Sequence, residues 1–153
     1  MPREIIAIGA DHAGFAMKTV LAADLGKMGY DVLDLGTNSE VSVDYPDFGF
    51  AVGRAVTRGD AVRGILVCGT GIGMTIAANR DPGVRAALCT SGLMARLARE
   101  HNDANVMALG SRIVGIEVAR ECVRQFLSTS YGGGRHADRV AKLSHPAYEE
   151  AAE

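Results

Sequence analysis

The sequence predicts an α/β fold, a three-layer α/β/α sandwich on a five-stranded parallel sheet. Short apolar runs alternate with segments of helical spacing along almost the whole chain. The runs are apolar throughout rather than every second residue, so both faces of their sheet must be covered. At 153 residues the chain fits one domain, long enough to bury roughly two-thirds of its unfolded surface.

Glu4–Gly9 opens the pattern as a short apolar strand, and Phe15–Met28 follows with Ala, Met, Leu and Lys at helical spacing. Asp31–Leu35 is the second strand and Asp47–Arg58 the second helix. Gly64–Cys68, Gly-Ile-Leu-Val-Cys, is the clearest buried strand; a glycine-rich turn leads from it into helical Thr75–Asn79. Arg85–Cys89 and Val106–Leu109 are two further strands, separated by helical Gly92–His101. Gly115–Ser128 is a long amphipathic helix. A helical tail begins at about residue 135 and runs to Leu143, within a single domain of residues 1–153. No linker, repeat or low-complexity segment interrupts the series. Right-handed crossovers then give a doubly wound, Rossmann-like sheet whose ligands bind beyond the carboxyl ends of the strands.

Composition narrows the function. Hydrophobic residues make up 48% and charged residues 22%, and the net charge of −2 offers no basic field for nucleic acid or an anionic membrane. Any phosphate must therefore be met by local charge. No apolar run approaches the roughly 20 residues that span a bilayer, and the opening Met1-Pro-Arg-Glu has no signal-peptide layout. Three cysteines, Cys68, Cys89 and Cys122, lack metal-ligand spacing and fit a reduced, cytoplasmic protein. The histidines are scattered and unpaired with cysteines, so no metal site is expected.

Reactive residues follow three of the strands. Asp11 and His12 follow the first, Cys68-Gly-Thr-Gly-Ile-Gly the third, and Gly110-Ser-Arg112 the fifth. The turn Gly69-Thr70-Gly71-Ile72-Gly73 lacks both the dinucleotide fingerprint and the Gly-Lys-Ser/Thr of a Walker loop. Two readings stay open: a tight strand-to-helix turn, or an anion hole in which backbone amides at a helix N-terminus meet negative charge. Cys68 is either a buried small hydrophobe or a thiolate favoured by that N-terminus. As a thiolate it suits proton abstraction next to a carbonyl, with Thr70 and the loop amides holding the oxyanion. Arg135 and Arg139, spaced i and i+4, make either a solvated basic face or a phosphate clamp. His101 precedes a strand and so lies at the amino end of the sheet, away from Cys68. A catalytic His101 must then reach another subunit's pocket, which predicts an active site shared across a dimer interface.

These residues resemble the type B ribose-5-phosphate isomerases, part of a wider family with galactose-6-phosphate isomerase subunits. The resemblance runs nearly end to end through Gly9-Ala-Asp-His-Ala-Gly-Phe, Asp34-Leu-Gly-Thr, Asp44-Tyr-Pro, Gly64-Ile-Leu-Val-Cys-Gly-Thr-Gly-Ile-Gly, Ala77-Ala-Asn, His101-Asn-Asp-Ala-Asn-Val, Leu109-Gly-Ser-Arg and Gly133-Gly-Arg-His. It implies interconversion of ribose 5-phosphate and ribulose 5-phosphate, in pentose phosphate metabolism. By the same resemblance Cys68 is the base, and Thr70 with Gly69, Gly71 and Gly73 cradles the enediolate. His101 opens the furanose ring and Asp11 handles its hydroxyls. Tyr45 and Asn102 contact the sugar; His12, Arg112, Arg135 and Arg139 take the phosphate. The family implies a homodimer, or a dimer of dimers. No cofactor is implied, since a 1,2-proton shift needs none.

One branch of the family replaces the cysteine by a glutamate just after the glycine loop. Met74 stands there and cannot act as a base, which agrees with Cys68. A departure follows Cys89, where many relatives carry an acidic residue and Pro-Tyr; Thr90-Ser91-Gly92-Leu93 here bears on substrate size or loop rigidity. The alternatives are isomerisation of another sugar phosphate, such as allose 6-phosphate, galactose 6-phosphate or a tetrose phosphate, and a non-catalytic sugar-phosphate sensor. The galactose enzymes combine two different subunits, whereas this chain carries every expected site residue.

Overall fold

A computed structural model describes residues 1–148. Its strands are β1 (Ile5–Ala10), β2 (Asp31–Asp34), β3 (Arg63–Cys68), β4 (Ala86–Leu88) and β5 (Val106–Gly110). All pair in parallel, in the order β2-β1-β3-β5-β4. The chain steps outward from β1 to β2, then crosses back over β1 to place β3. The sheet's switch point therefore lies between β1 and β3, where an open α/β sheet leaves a crevice beyond its strand ends. The helices are α1 (Phe15–Lys27), α2 (Tyr45–Thr57), α3 (Ile72–Ala78), α4 (Gly92–Asn102), α5 (Ile116–Ser128) and α6 (Ala137–Ser144).

Strand alternation sorts the core into two layers. Ile6, Ile8, Ile65, Val67, Met107 and Leu109 face α1, α4 and α5, meeting Leu21, Leu25, Ala95 and Phe126. Ala7, Leu66, Cys68, Val106 and Ala108 face α2 and α3, meeting Val52, Ala55, Met74 and Ala78. Fully burying each leucine- or isoleucine-sized side chain contributes about 1.5–3 kcal/mol. The second layer uses smaller residues, which draws α2 close to the sheet. A Cβ at Gly64 would sit 2.5 Å from Val52 Cγ1, too near for any larger residue.

Boundaries differ from expectation where local chemistry overrides periodicity. α2 starts at Tyr45 because Pro46 in its first turn has the right φ and needs no donor. α3 starts at Ile72 because Gly71, at φ +81°, turns the chain straight out of β3. Edge strand β4 keeps only Ala86–Leu88 of the expected Arg85–Cys89. The tail is not one helix from Arg135: a 3₁₀ turn, Gly134–His136, precedes α6, and Gly133 and Gly134 both have positive φ. Arg135 and Arg139 therefore do not share a continuous α-helix. α6 buries none of its residues. No helix among the described residues is long and apolar enough to cross a membrane.

Candidate active site

The ends of β1, β3 and β5 are tied together by backbone bonds beyond the sheet. Asp11 N–H donates to the Val67 carbonyl at 3.2 Å, Ser111 N–H to Cys68 at 2.9 Å, and Arg112 N–H to Gly69 at 2.9 Å. Ser111 Oγ donates to the Ala13 carbonyl at 2.8 Å. Side chains on three separate segments thus inherit one rigid frame. Asp11 is buried, and its Oδ1 accepts the Gly14 N–H at 3.0 Å. His12 Nδ1 accepts the Val43 N–H at 3.2 Å, so the neutral ring carries its proton on Nε2.

Cys68 is 4% exposed, and its Sγ accepts the Gly71 N–H at 3.1 Å. Thr70 is exposed, and its Oγ1 accepts the Ile72 N–H at 3.2 Å. Two amides of the glycine loop are therefore engaged within the loop itself, on the sulfur and on the hydroxyl. Close approach explains the remaining glycines. A Cβ at Gly73 would lie 2.5 Å from the Tyr45 ring, and one at Gly69 would lie 3.2 Å from Arg112 Nη1. The Tyr45 ring and the Arg112 guanidinium consequently roof the loop from two sides. Arg112 forms no ion pair among the described residues.

The other two cysteines lie in the opposite core layer from Cys68. Burial, with a smaller contribution from Cys122, pushes the Cys89 thiol up to about 12. Burial and then the Glu121 charge push Cys122 up to about 11. Both are held as neutral thiols inside the first core layer.

His101 and Asn102 close α4 at the opposite end of the sheet, as the topology predicts. The His101 ring stacks on His136 with centroids 4.5 Å apart and planes 17° from parallel. The Gly132 N–H donates to the Glu100 carbonyl at 3.0 Å, fixing the tail there. Arg135 and Arg139 are exposed beside His136 and form no ion pairs among the described residues. His136 sits below the ordinary histidine value, through desolvation first, then the charges of His101, Arg135 and Arg139. Asn102 lines a cavity of about 390 Å³ with Asn79, Ala86 and Leu143.

One chain thus assembles Cys68, Gly69, Thr70, Gly71, Gly73, Asp11, His12, Tyr45 and Arg112 at one edge. It leaves His101, Asn102, Arg135 and Arg139 at the other. A cavity of about 980 Å³ is at neither place; it runs between β2 and α2 past Leu33, Leu35 and Phe50, and no cysteine, histidine or lysine lines it. The backbone frame, rather than this cavity, brings the candidate residues together.

Sequence reasoning passed over Lys18. It is 1% exposed, and its Nζ donates to both Asp34 oxygens at 2.7 and 2.8 Å. Asp34 Oδ1 also accepts the Gly36 N–H, and the Gly36 carbonyl accepts from Ala10 beside Asp11. The pair therefore holds the loop after β2 against the reactive end of β1. A signal was present: Lys18 lies on the same helical stripe as Leu21 and Leu25. The Thr90–Leu93 segment forms the start of α4, where Ser91 Oγ accepts the Met94 N–H at 3.2 Å.

The chain matches the ribose/galactose isomerase family over residues 6–143. Ribose-5-phosphate isomerase B of Escherichia coli is 46% identical over 139 residues, covering 91% of this chain and 93% of that protein. The structure of Clostridium thermocellum ribose-5-phosphate isomerase B superposes with a TM-score of 0.91 at 53% identity, covering 92% of this chain and 95% of that one. That of Trypanosoma brucei type B ribose 5-phosphate isomerase gives 0.90 at 46% identity, over 94% and 98%. The chain belongs to the ribose/galactose isomerase family, in its type B ribose-5-phosphate isomerase branch, and is a sugar-phosphate isomerase of the aldose–ketose type.

Proposed function

We propose that this chain interconverts ribose 5-phosphate and ribulose 5-phosphate through an enediolate, with Cys68 as the base. The observation that carries this is the Gly71 N–H on Cys68 Sγ, which presents the sulfur at a helix N-terminus beneath Tyr45 and Arg112. The thiolate takes the proton from carbon 2 of the open-chain aldose. The electron pair moves onto the carbonyl oxygen at carbon 1, and the enediolate forms beside Thr70 and the loop amides left free. Cys68 returns the proton to carbon 1, and the hydroxyl proton on oxygen 2 passes to oxygen 1, leaving a ketone at carbon 2 and a hydroxyl at carbon 1. Asp11 steadies the sugar hydroxyls and Tyr45 and Asn102 contact the sugar. His12 and Arg112, with Arg135 and Arg139, take the phosphate, and His101 opens the ring.

The site is completed by a second copy of the chain. Within one chain His101 and the two tail arginines stand at the wrong end of the sheet to meet Cys68. An isolated eight-residue helix is marginal in water, yet α6 buries no residue against its own chain. The rim around Cys68 exposes Ile72, Ile76, Leu93, Met94 and Ile113, an apolar surface ready for covering. Residues 1–153 then act as one unit with a tail from about 135 that serves a neighbouring subunit. Three unpaired thiols suit a reducing compartment, and we place the protein in the cytoplasm.

Mixed subunits test this directly. Cys68→Ala and His101→Ala should each lose at least about a hundredfold in kcat, as expected for a missing acid or base. Exchanged together, they should recover about a quarter of wild-type activity, because half the dimers carry one intact shared site. Verified exchange without recovery would place both residues in one chain's site. Ribose 5-phosphate should be preferred over allose 6-phosphate and erythrose 4-phosphate; the reverse preference would transfer the mechanism to another sugar and implicate Thr90–Leu93.

A further inference from the structure

A polar cavity of about 370 Å³ opens at the amino ends of the strands, on the edge opposite Cys68. Arg63 at the start of β3, Arg85 before β4 and Arg99 near the end of α4 all line it. Three guanidinium groups share this lining with two carboxylates, Asp103 and Glu4. Asp103 is shared, with Oδ1 2.8 Å from Arg99 Nη1 and Oδ2 3.4 Å from Arg85 Nη2. Glu4, the other carboxylate of the lining, is exposed.

Arg63 forms no ion pair among the described residues. Its Nη1 donates to the Phe126 carbonyl at 2.6 Å, and the guanidinium lies 5.6 Å from the Phe126 ring centroid. Those contacts fix the group in place. They leave its Nε–Nη2 edge, the fork that grips an oxyanion at two points, without an acceptor among the described residues. Arg99 Nη2 and Arg85 Nη1 are also without one, their other nitrogens being taken by Asp103 and by the carbonyls of Asp103, Ala104 and Thr129. Burial and then the Arg99 charge hold Arg63 below the ordinary arginine value, against smaller opposing contributions from Tyr30, Glu4 and Asp103.

We propose that this cavity binds a small oxyanion, a phosphate or carboxylate group gripped by the free fork of Arg63 and completed by Arg85 and Arg99. The site backs onto the turn after His101 and is separate from the phosphate-binding residues proposed above. Its occupant is compact, because the arginines converge on one cavity, and anionic, because three guanidinium groups outnumber the two carboxylates of the lining.

Arginine Nε–H resonances of the full-length 15N-labelled protein provide the test. Inorganic phosphate is titrated in one arm and malonate in the other, with sodium chloride at matched ionic strength as the control. Saturable shifts of Arg63, Arg85 and Arg99 are expected in at least one arm, and the arm that saturates names the oxyanion. Arg63→Gln should weaken that saturation about tenfold or more. Arg63→Lys, which keeps the charge and loses the fork, should weaken it as well, and the shifts of Arg112 and Arg135 should persist in both variants. If the three resonances follow chloride alone, or saturate equally in both variants, the arginines only cap backbone carbonyls and the proposal fails. Because binding is read rather than turnover, this result is independent of the isomerase reaction.

Discussion

The carboxyl and amino edges of the sheet carry chemistry in opposite ways. At the carboxyl edge Asp11, Cys68 and Arg112 sit on segments tied to one another by backbone hydrogen bonds. At the amino edge His101, Arg135 and Arg139 hang from one helix end and a tail whose last helix buries nothing. The first region has its backbone frame in place within one chain. The tail of the second offers charge on a helix with no buried residue. A reacting proton must be met within a fraction of an ångström, which favours the rigid edge. A phosphate tolerates looser placement, so the clamp we propose can ride on the tail.

The largest effect expected within this comparison concerns the carboxyl edge's support. Asp34→Asn leaves Lys18 buried with its charge unmatched and should cost about 3 kcal/mol or more. Lys18→Met leaves a carboxylate whose side chain is 41% exposed and can turn to water, so it should cost about 1 kcal/mol. Urea unfolding of both variants measures this; equal losses would mean that the pair is not held by burial of the lysine. A smaller effect is expected at the other edge. Arg135→Gln or Arg139→Gln should raise KM by about 1–3 kcal/mol of binding and leave kcat nearly unchanged. A fall in kcat as large as the rise in KM would make the tail part of the rigid machinery and erase the contrast.

The smallest effect is the titration of His136. Its ring binds a proton more weakly in the folded chain than in the unfolded one, through desolvation and the neighbouring cations. The docked tail should therefore lose stability as the pH falls through the ordinary histidine range, and keep it above that range. Ring-proton NMR should give a midpoint below that of free histidine, moving upward in Arg139→Gln. A midpoint at or above the free value would show that the tail is not packed on His101 in solution.

Much of the fold was legible because its signals are local. Gly64–Cys68 reads as a buried strand by composition, and the paired glycines and reactive residues after β1, β3 and β5 mark one edge of a parallel sheet. His101 could be placed at the opposite edge from chain order alone. The missed features are those in which distant residues meet. Lys18 looks like an ordinary helix lysine until Asp34, sixteen residues on, closes over it. The loop amides look free until Gly71 is seen on sulfur and Ile72 on Thr70. Positive φ at Gly133 and Gly134 breaks the tail helix that spacing alone would draw through Arg135.

By itself the sequence determined the α/β class, the strand and helix order, and which residues lie at which end of the sheet, since periodicity and parallel topology are properties of the chain's own order. Only the tertiary structure decided which side chains share a frame. Close packing brings Tyr45 over Gly73, Arg112 over Gly69 and Asp34 onto Lys18, and such contacts depend on distances across the fold that no local pattern encodes.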